Sequence, residues 1–148
     1  MRREHEPARL VLPELIDTLT VTQRLLARDL SSLLEEEGTT LDQWRILRSL
    51  TIDQGRSMGE LAVSLEIPHP TLTRLVDGLV DFSYLYRTQS GPDRRRVSIH
   101  LSDRGQLLLG RLEALAAAHE AALSGRLGND AVSTLVTSLK AIRDRLRE

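Results

Sequence analysis

The sequence predicts a mainly α fold carrying one small β-hairpin, in the order four helices, hairpin, two helices. Three observations carry that expectation. Apolar residues recur at helical spacing over most of the chain, two short segments in the middle alternate with period two, and turn-forming residues separate those two segments. At 148 residues the chain is one domain's worth, long enough to bury a real core.

Pro13 is placed to open a long first helix, at a position where its missing N–H is not needed. Leu15, Leu19, Leu26, Leu30 and Leu33 then follow, mostly at three- or four-residue steps or their sums, to about Leu34. Glu35-Glu36-Glu37 and Gly38 end it. Thr40 with Gln43 reads as a capping box for a second helix through Trp44, Leu47 and Leu50. After the turn at Asp53-Gln54-Gly55, Ser57 with Glu60 caps a short third helix whose apolar face is Leu61, Ala62 and Leu65. Proline disfavours the helical region for the residue before it, so His69 is expected to be extended and the fourth helix to start near Pro70. Leu72, Leu75, Val76 and Leu79 form the buried stripe of that helix.

The period then changes. Tyr84–Thr88 and Arg96–Leu101 both alternate, with Ser90-Gly91-Pro92-Asp93 between them, which reads as a hairpin with an exposed tip. Ser102 caps a fifth helix through Leu108, Leu112, Leu115 and Ala122. Gly128-Asn129-Asp130 breaks it, and Val132, Leu135, Val136, Leu139, Ile142 and Leu146 stripe a sixth. No internal repeat divides the chain. Residues 1–148 are one organised unit, with a lobe over 40–101 and a helical base from 10–36 and 103–147.

Composition removes several function classes. There is no cysteine, which excludes disulfides, thiolate catalysis and cysteine-ligated zinc. No apolar run approaches a membrane span, and the first dozen residues hold Glu4 and Glu6, so no membrane partner and a cytoplasmic location are expected. The four histidines (5, 69, 100 and 119) show no metal-binding spacing, and no phosphate loop or serine elbow is present. His119, on the apolar side of its helix, reads as structural. Neither an enzyme nor a metal or cofactor is expected. The net charge of −1 is unevenly spread: Pro68–Arg104 carries six arginines against four aspartates, and the remainder is acidic.

Two short helices joined by a tight turn and followed at once by a hairpin make a winged helix-turn-helix. The stripe of the fourth helix leaves Thr71, Thr73, Arg74 and Asp77 to face outward, and its N-terminus near Pro70 suits a phosphate. Hydroxyls reach phosphates and base edges, and a guanidinium can be bidentate to guanine. The tip Asp93-Arg94-Arg95-Arg96 is narrow and cationic, as a minor-groove probe should be. A second reading makes Arg95 a strut that pairs with Asp77 or Asp93 to brace the wing, and the plainest reading makes the tip a solvated turn.

Leu72-Thr73-Arg74-Leu75-Val76-Asp77, Tyr86-Arg87 and Asp93-Arg94-Arg95-Arg96-Val97-Ser98-Ile99-His100-Leu101-Ser102-Asp103-Arg104-Gly105 together resemble the multiple-antibiotic-resistance regulator (MarR) family. The resemblance implies a homodimer built by the first and last two helices, with two winged lobes on a palindromic double-stranded DNA operator. It also implies a transcriptional regulator, a repressor in many members, released by a small phenolic or aromatic carboxylate effector. By position, Pro70, Thr71, Thr73 and Arg74 fall on the recognition helix and Arg94, Arg95 and Arg96 on the wing. Ser83 departs from the pattern, standing where the family usually has glycine. Trp44 and Arg48 on the second helix, with Arg24 and Arg28 on the first, are candidates for the effector site; the competing reading is a core tryptophan with surface arginines. The alternative to DNA binding is a helical dimeric interaction module whose winged lobe makes protein contacts.

Overall fold

The computed structural model describes residues 10–51, 55–89, 92 and 96–148. Among them are α1 (Val11–Glu36), α2 (Leu41–Ser49), α3 (Met58–Leu65), α4 (His69–Asp81), β1 (Leu85–Gln89), β2 (Val97–Leu101), α5 (Asp103–Leu127) and α6 (Asn129–Leu146). The predicted order of four helices, hairpin and two helices is the observed one. The chain forms two compact units, the first ending at Leu41 and the second running from Asp42 to Glu148.

In the first unit α1 begins at Val11, with Leu10 as its extended N-cap, so Pro13 sits inside the first turn rather than opening it. Proline is accepted there because the first N–H groups of a helix have no acceptor one turn back. Leu34 is the one buried residue described in α1, while Val11, Ile16, Val21 and Leu25 are all more than half exposed.

The second unit holds the winged lobe. Ser57 closes the expected capping box on α3: its Oγ accepts from the Glu60 N–H at 3.1 Å, and the Glu60 carboxylate accepts from the Ser57 N–H at 2.9 Å. Glu66 then turns left-handed (φ 53°), and Ile67 tucks in with its N–H on the Ala62 carbonyl. That short turn delivers the chain into α4. His69 is the first residue of α4 and not extended; the extended residue is Pro68, the N-cap, and Pro70 lies in the first turn. The clash of a proline with its predecessor is small enough at a helix start for His69 to be helical.

Leu72, Val76 and Leu79 of α4 pack into a core with Trp44, Ile46 and Leu47 of α2, Leu61 of α3 and the inward side of the hairpin. The hairpin is antiparallel, pairing Leu85 with Leu101, Arg87 with Ile99 and Gln89 with Val97. Leu85, Ile99 and Leu101 point inward. Ile99 also exchanges two backbone hydrogen bonds with Arg56, which ties the wing to the segment that enters α3.

Ser83 takes the left-handed conformation (φ 61°) that a glycine would hold more cheaply. The Ser102 hydroxyl lies 2.6 Å from the Ser83 carbonyl oxygen and 3.0 Å from that of Tyr84, and its oxygen caps α5 by accepting from the Gly105 N–H at 2.9 Å. Gly105 permits this junction, because a Cβ there would lie 2.1 Å from the Tyr84 carbonyl oxygen. The departure from glycine at position 83 therefore leaves the helix exit intact.

Only the first half of α5 is buried, through Gly105, Leu108, Leu109 and Leu112, and α6 has no buried residue. Val132, Leu135, Val136 and Ile142 of α6 are 41–50% exposed. No helix among the described residues is long and apolar enough to cross a membrane.

Candidate nucleic-acid interface

The outward strip of α4 runs Pro70, Thr73, Arg74, Asp77, with Thr71 half-buried at its edge. The N-cap Pro68 offers no side-chain acceptor and the first turn has no acidic residue, so the positive end of the helix dipole is not neutralised locally. The Thr73 hydroxyl donates to the His69 carbonyl at 2.9 Å, which leaves its oxygen as an acceptor. In that state it suits a base amino group better than a phosphate. Arg74 is exposed and has no carboxylate within ion-pair distance among the described residues.

Asp77 is engaged. Its carboxylate pairs with Arg87 of β1, with both side chains partly exposed. The sequence offers Asp77 as one of two possible partners of Arg95, the other being Asp93; among the described residues the partner of Asp77 is Arg87, which the register of β1 brings beside α4. Asp93, Arg94 and Arg95 lie outside the described residues. Arg96, immediately before β2, is exposed. Above Arg87, His100 stacks on Tyr86 with ring centroids 5.2 Å apart, and its Nε2 lies 2.8 Å from the Thr88 hydroxyl. These contacts stiffen the base of the wing from the solvent side.

The candidate effector residues divide. Trp44 is a core residue, 8% exposed, and its Nε1–H has no acceptor among the described residues. Arg48 sits over its ring, the guanidinium carbon 4.7 Å from the ring centroid, and places Nε 2.9 Å from Glu113 of α5. Arg24 and Arg28 are exposed on α1, in the first unit, where Arg28 meets Asp29 at 3.5 Å. Arg45, which the sequence already places beside Trp44 and Arg48, and several residues that the sequence does not single out surround Arg48. An open groove of about 660 Å³ is lined by Arg45, Arg48, Ser49, Thr51, Leu65, Leu109, Glu113 and Arg143. Arg45 donates to Asp42 at 2.8 Å and to the Leu65 carbonyl, at the end of α3, at 2.7 Å. Arg147 reaches the same helix end, 3.2 Å from Glu66. Spacing could flag Arg45 beside Arg48, but nothing local in the sequence joins either to Arg143, nearly a hundred residues on. No group of residues that could hold a metal ion occurs among the described residues.

A model of the MarR family matches residues 37–96, from the end of the first unit to the start of the wing's second strand. The HTH-type transcriptional regulator TtmR of Methylorubrum extorquens (strain PA1) is 31% identical over 78% of this chain and 58% of its own length. A putative transcriptional regulatory protein for the hcr operon of Thauera aromatica is 27% identical over 72% of this chain and 64% of its own length. The chain thus spans less than two thirds of these relatives. Among solved structures, the transcriptional repressor CouR bound to a 23-mer DNA duplex superposes with a TM-score of 0.79 at 29% identity, covering 92% of this chain and 99% of that one. Over its winged helix-turn-helix the chain matches the MarR family.

The family's winged helix-turn-helix is the α3–α4 pair with the β1–β2 hairpin, as the sequence resemblance implied. The curated relatives are transcriptional regulators and not enzymes. CouR has also been solved with p-coumaroyl-CoA bound, a structure that matches this chain with a TM-score of 0.74 at 28% identity over 85% of this chain and 88% of that one.

Proposed function

We propose that this chain is a homodimeric, sequence-specific MarR-type repressor that binds a palindromic double-stranded DNA operator in the cytoplasm and leaves it when a small ligand binds. The observation that carries this reading is the outward face of α4. Arg74 is unpaired there among the described residues, Thr73 offers an acceptor, and Asp77, the carboxylate on the same outward strip, is held by Arg87. Pro70 and Thr71 place the helix N-terminus against a phosphate, and Arg74 reads a base edge. Arg94, Arg95 and Arg96 are the wing arginines assigned to DNA binding, with Arg94 at the minor groove.

Dimerisation is supported by apolar faces that one chain leaves uncovered, on α1 and on α6. Residues 10–36 and 103–147 supply that base, and 40–101 carries the DNA-contacting lobe. The similarity to CouR, solved with DNA and with p-coumaroyl-CoA, supports a DNA-binding, ligand-responsive role. The effector is an aromatic acid or a derivative of one, and Arg48 contributes to holding it. Trp44, buried beneath Arg48, serves as the floor under that guanidinium rather than as an open wall.

The test is fluorescence anisotropy of labelled duplexes selected from a random pool, with wild type and Arg74→Ala, across a salt series. Log K is expected to fall linearly with log salt, by about 0.9 per phosphate contact. Arg74→Ala is expected to weaken the selected duplex more than a scrambled one. An enriched pool with no consensus would defeat the proposal.

A further inference from the structure

We propose that the groove lined by α2, the end of α3, α5 and α6 binds a nucleotide-type ligand, a diphosphate carried on a hydroxylated sugar, with Arg48 and Arg143 holding the phosphates. This deepens the reading of the chain as a ligand-responsive regulator, and rests on it, by naming the chemical class of the ligand.

Charge supports the assignment first. Three guanidiniums, Arg45, Arg48 and Arg143, line the groove against a single carboxylate, Glu113. Arg45 has both amino nitrogens engaged, on Asp42 and on the Leu65 carbonyl, so it is a structural arm. Arg48 engages Glu113 through Nε and keeps both amino groups. Arg143 engages Asp144 through Nε and Nη2 and keeps Nη1. Arginine has five N–H donors in a planar fork that matches phosphate oxygens. The open Nη edge of Arg48 and the remaining amino group of Arg143 offer donors at two points, which suits the oxygens of two phosphates better than one carboxylate.

Preorganisation and size point the same way. The Arg48 guanidinium is laid on the Trp44 ring, so little rotamer freedom is lost when it binds. The Arg48 and Arg143 side chains are about half exposed, which lets a ligand reach them. A groove of about 660 Å³ falls within the range for ligands of drug or nucleotide size, and a single-ring acid would leave much of it to water. The hydroxyls are also particular. Ser49 donates to the Ile46 carbonyl at 2.7 Å and Thr51 to the Arg48 carbonyl at 2.8 Å, so both oxygens are left to accept. Acceptors suit the hydroxyl groups of a sugar.

The experiment is calorimetric titration of the full chain, without DNA, using ADP, coenzyme A and benzoate as probes. ADP, coenzyme A or both should bind, and benzoate should bind more weakly than the phosphate-bearing probe. Tighter binding of coenzyme A than of ADP would assign the site to coenzyme A derivatives, and equal binding to nucleotides at large. Arg48→Gln and Arg143→Gln should each weaken the phosphate-bearing probe by about tenfold or more. Arg143→Lys should fall between, because it keeps the charge and loses the fork. Arg74→Ala, on the DNA-facing helix, should leave probe binding unchanged. The proposal is overturned if neither phosphate-bearing probe binds, if Arg48→Gln and Arg143→Gln bind it as wild type does, if Arg74→Ala removes binding, or if benzoate binds at least as tightly. Operator binding by unliganded Arg143→Gln should match wild type. Failure of both proteins on any duplex would instead strike the DNA-binding reading.

Discussion

Arg87 on β1 is paired with Asp77 on α4, so the wing and the recognition helix are joined by a charge pair on the face expected to meet DNA. Both side chains are partly exposed, and such a pair adds at most about 1 kcal/mol to stability. Its larger effect is on charge: Arg87 neutralises the carboxylate that shares the outward strip of α4 with Arg74.

Breaking this pair from its two ends should therefore give unequal results. Arg87→Gln leaves Asp77 unneutralised towards the phosphates, and operator affinity should drop by about 1–2 kcal/mol with little change in thermal midpoint. Asp77→Asn frees the guanidinium for DNA, so overall affinity should hold or rise while discrimination against random duplex shrinks. Anisotropy titrations on specific and random duplexes check both, and a larger loss for Asp77→Asn would reverse the argument.

The arginines of the wing should separate by role. Arg94→Ala is expected to weaken operator binding and to leave thermal unfolding nearly unchanged, because an exposed arginine contributes little to folding. Arg95→Ala should lower both. Unchanged binding for both variants would make the wing a solvated turn.

Gly105 offers a test of the junction between wing and α5. Gly105→Ala forces a methyl group against the Tyr84 carbonyl oxygen, which is backbone and cannot swing away. Destabilisation of about 1–3 kcal/mol is expected by thermal or urea unfolding. A neutral substitution would mean that the turn at Ser83 yields easily.

Trp44 carries a buried N–H donor without an acceptor among the described residues. Replacing it with phenylalanine removes the indole bulk and the unsatisfied donor together, and the two effects oppose each other. Trp44→Phe should therefore cost no more than about 1–2 kcal/mol, well below the 3–5 kcal/mol typical of truncating a buried aromatic to alanine. A loss of that larger size would show that the indole N–H finds a partner in solution.

Much of the fold was legible because its signals are local. The capping box at Ser57 and Glu60, the stripe Leu72, Val76 and Leu79, and the switch to alternation at Leu85 each rest on residues within one turn or one strand of each other. The helix starts shifted by a residue or two at Pro13 and His69, where a proline restrains but does not set the boundary. The site was less legible because its partners are distant in sequence. Arg87 meets Asp77 only after a strand has folded back on a helix, and Arg48 meets Glu113 across 65 residues. The arginines that the sequence places near Trp44 are Arg45 and Arg48 on α2 with Arg24 and Arg28 on α1, whereas the groove draws on Arg45 and Arg48 and adds Arg143.

The central claim is that two copies of α4, each presenting Arg74, read a palindrome. The most direct measurement is binding of the full chain to a duplex selected from a random pool, compared with the same duplex with one half-site scrambled. The account predicts two chains per duplex, half-sites centred about one helical turn or a multiple of it apart, and affinity about a thousandfold or more above random sequence. Arg74→Ala should remove about 1–3 kcal/mol of that preference. Equal affinity for intact, half-scrambled and random duplexes, or none for any of them, would contradict it and leave the winged lobe as a surface for protein contacts.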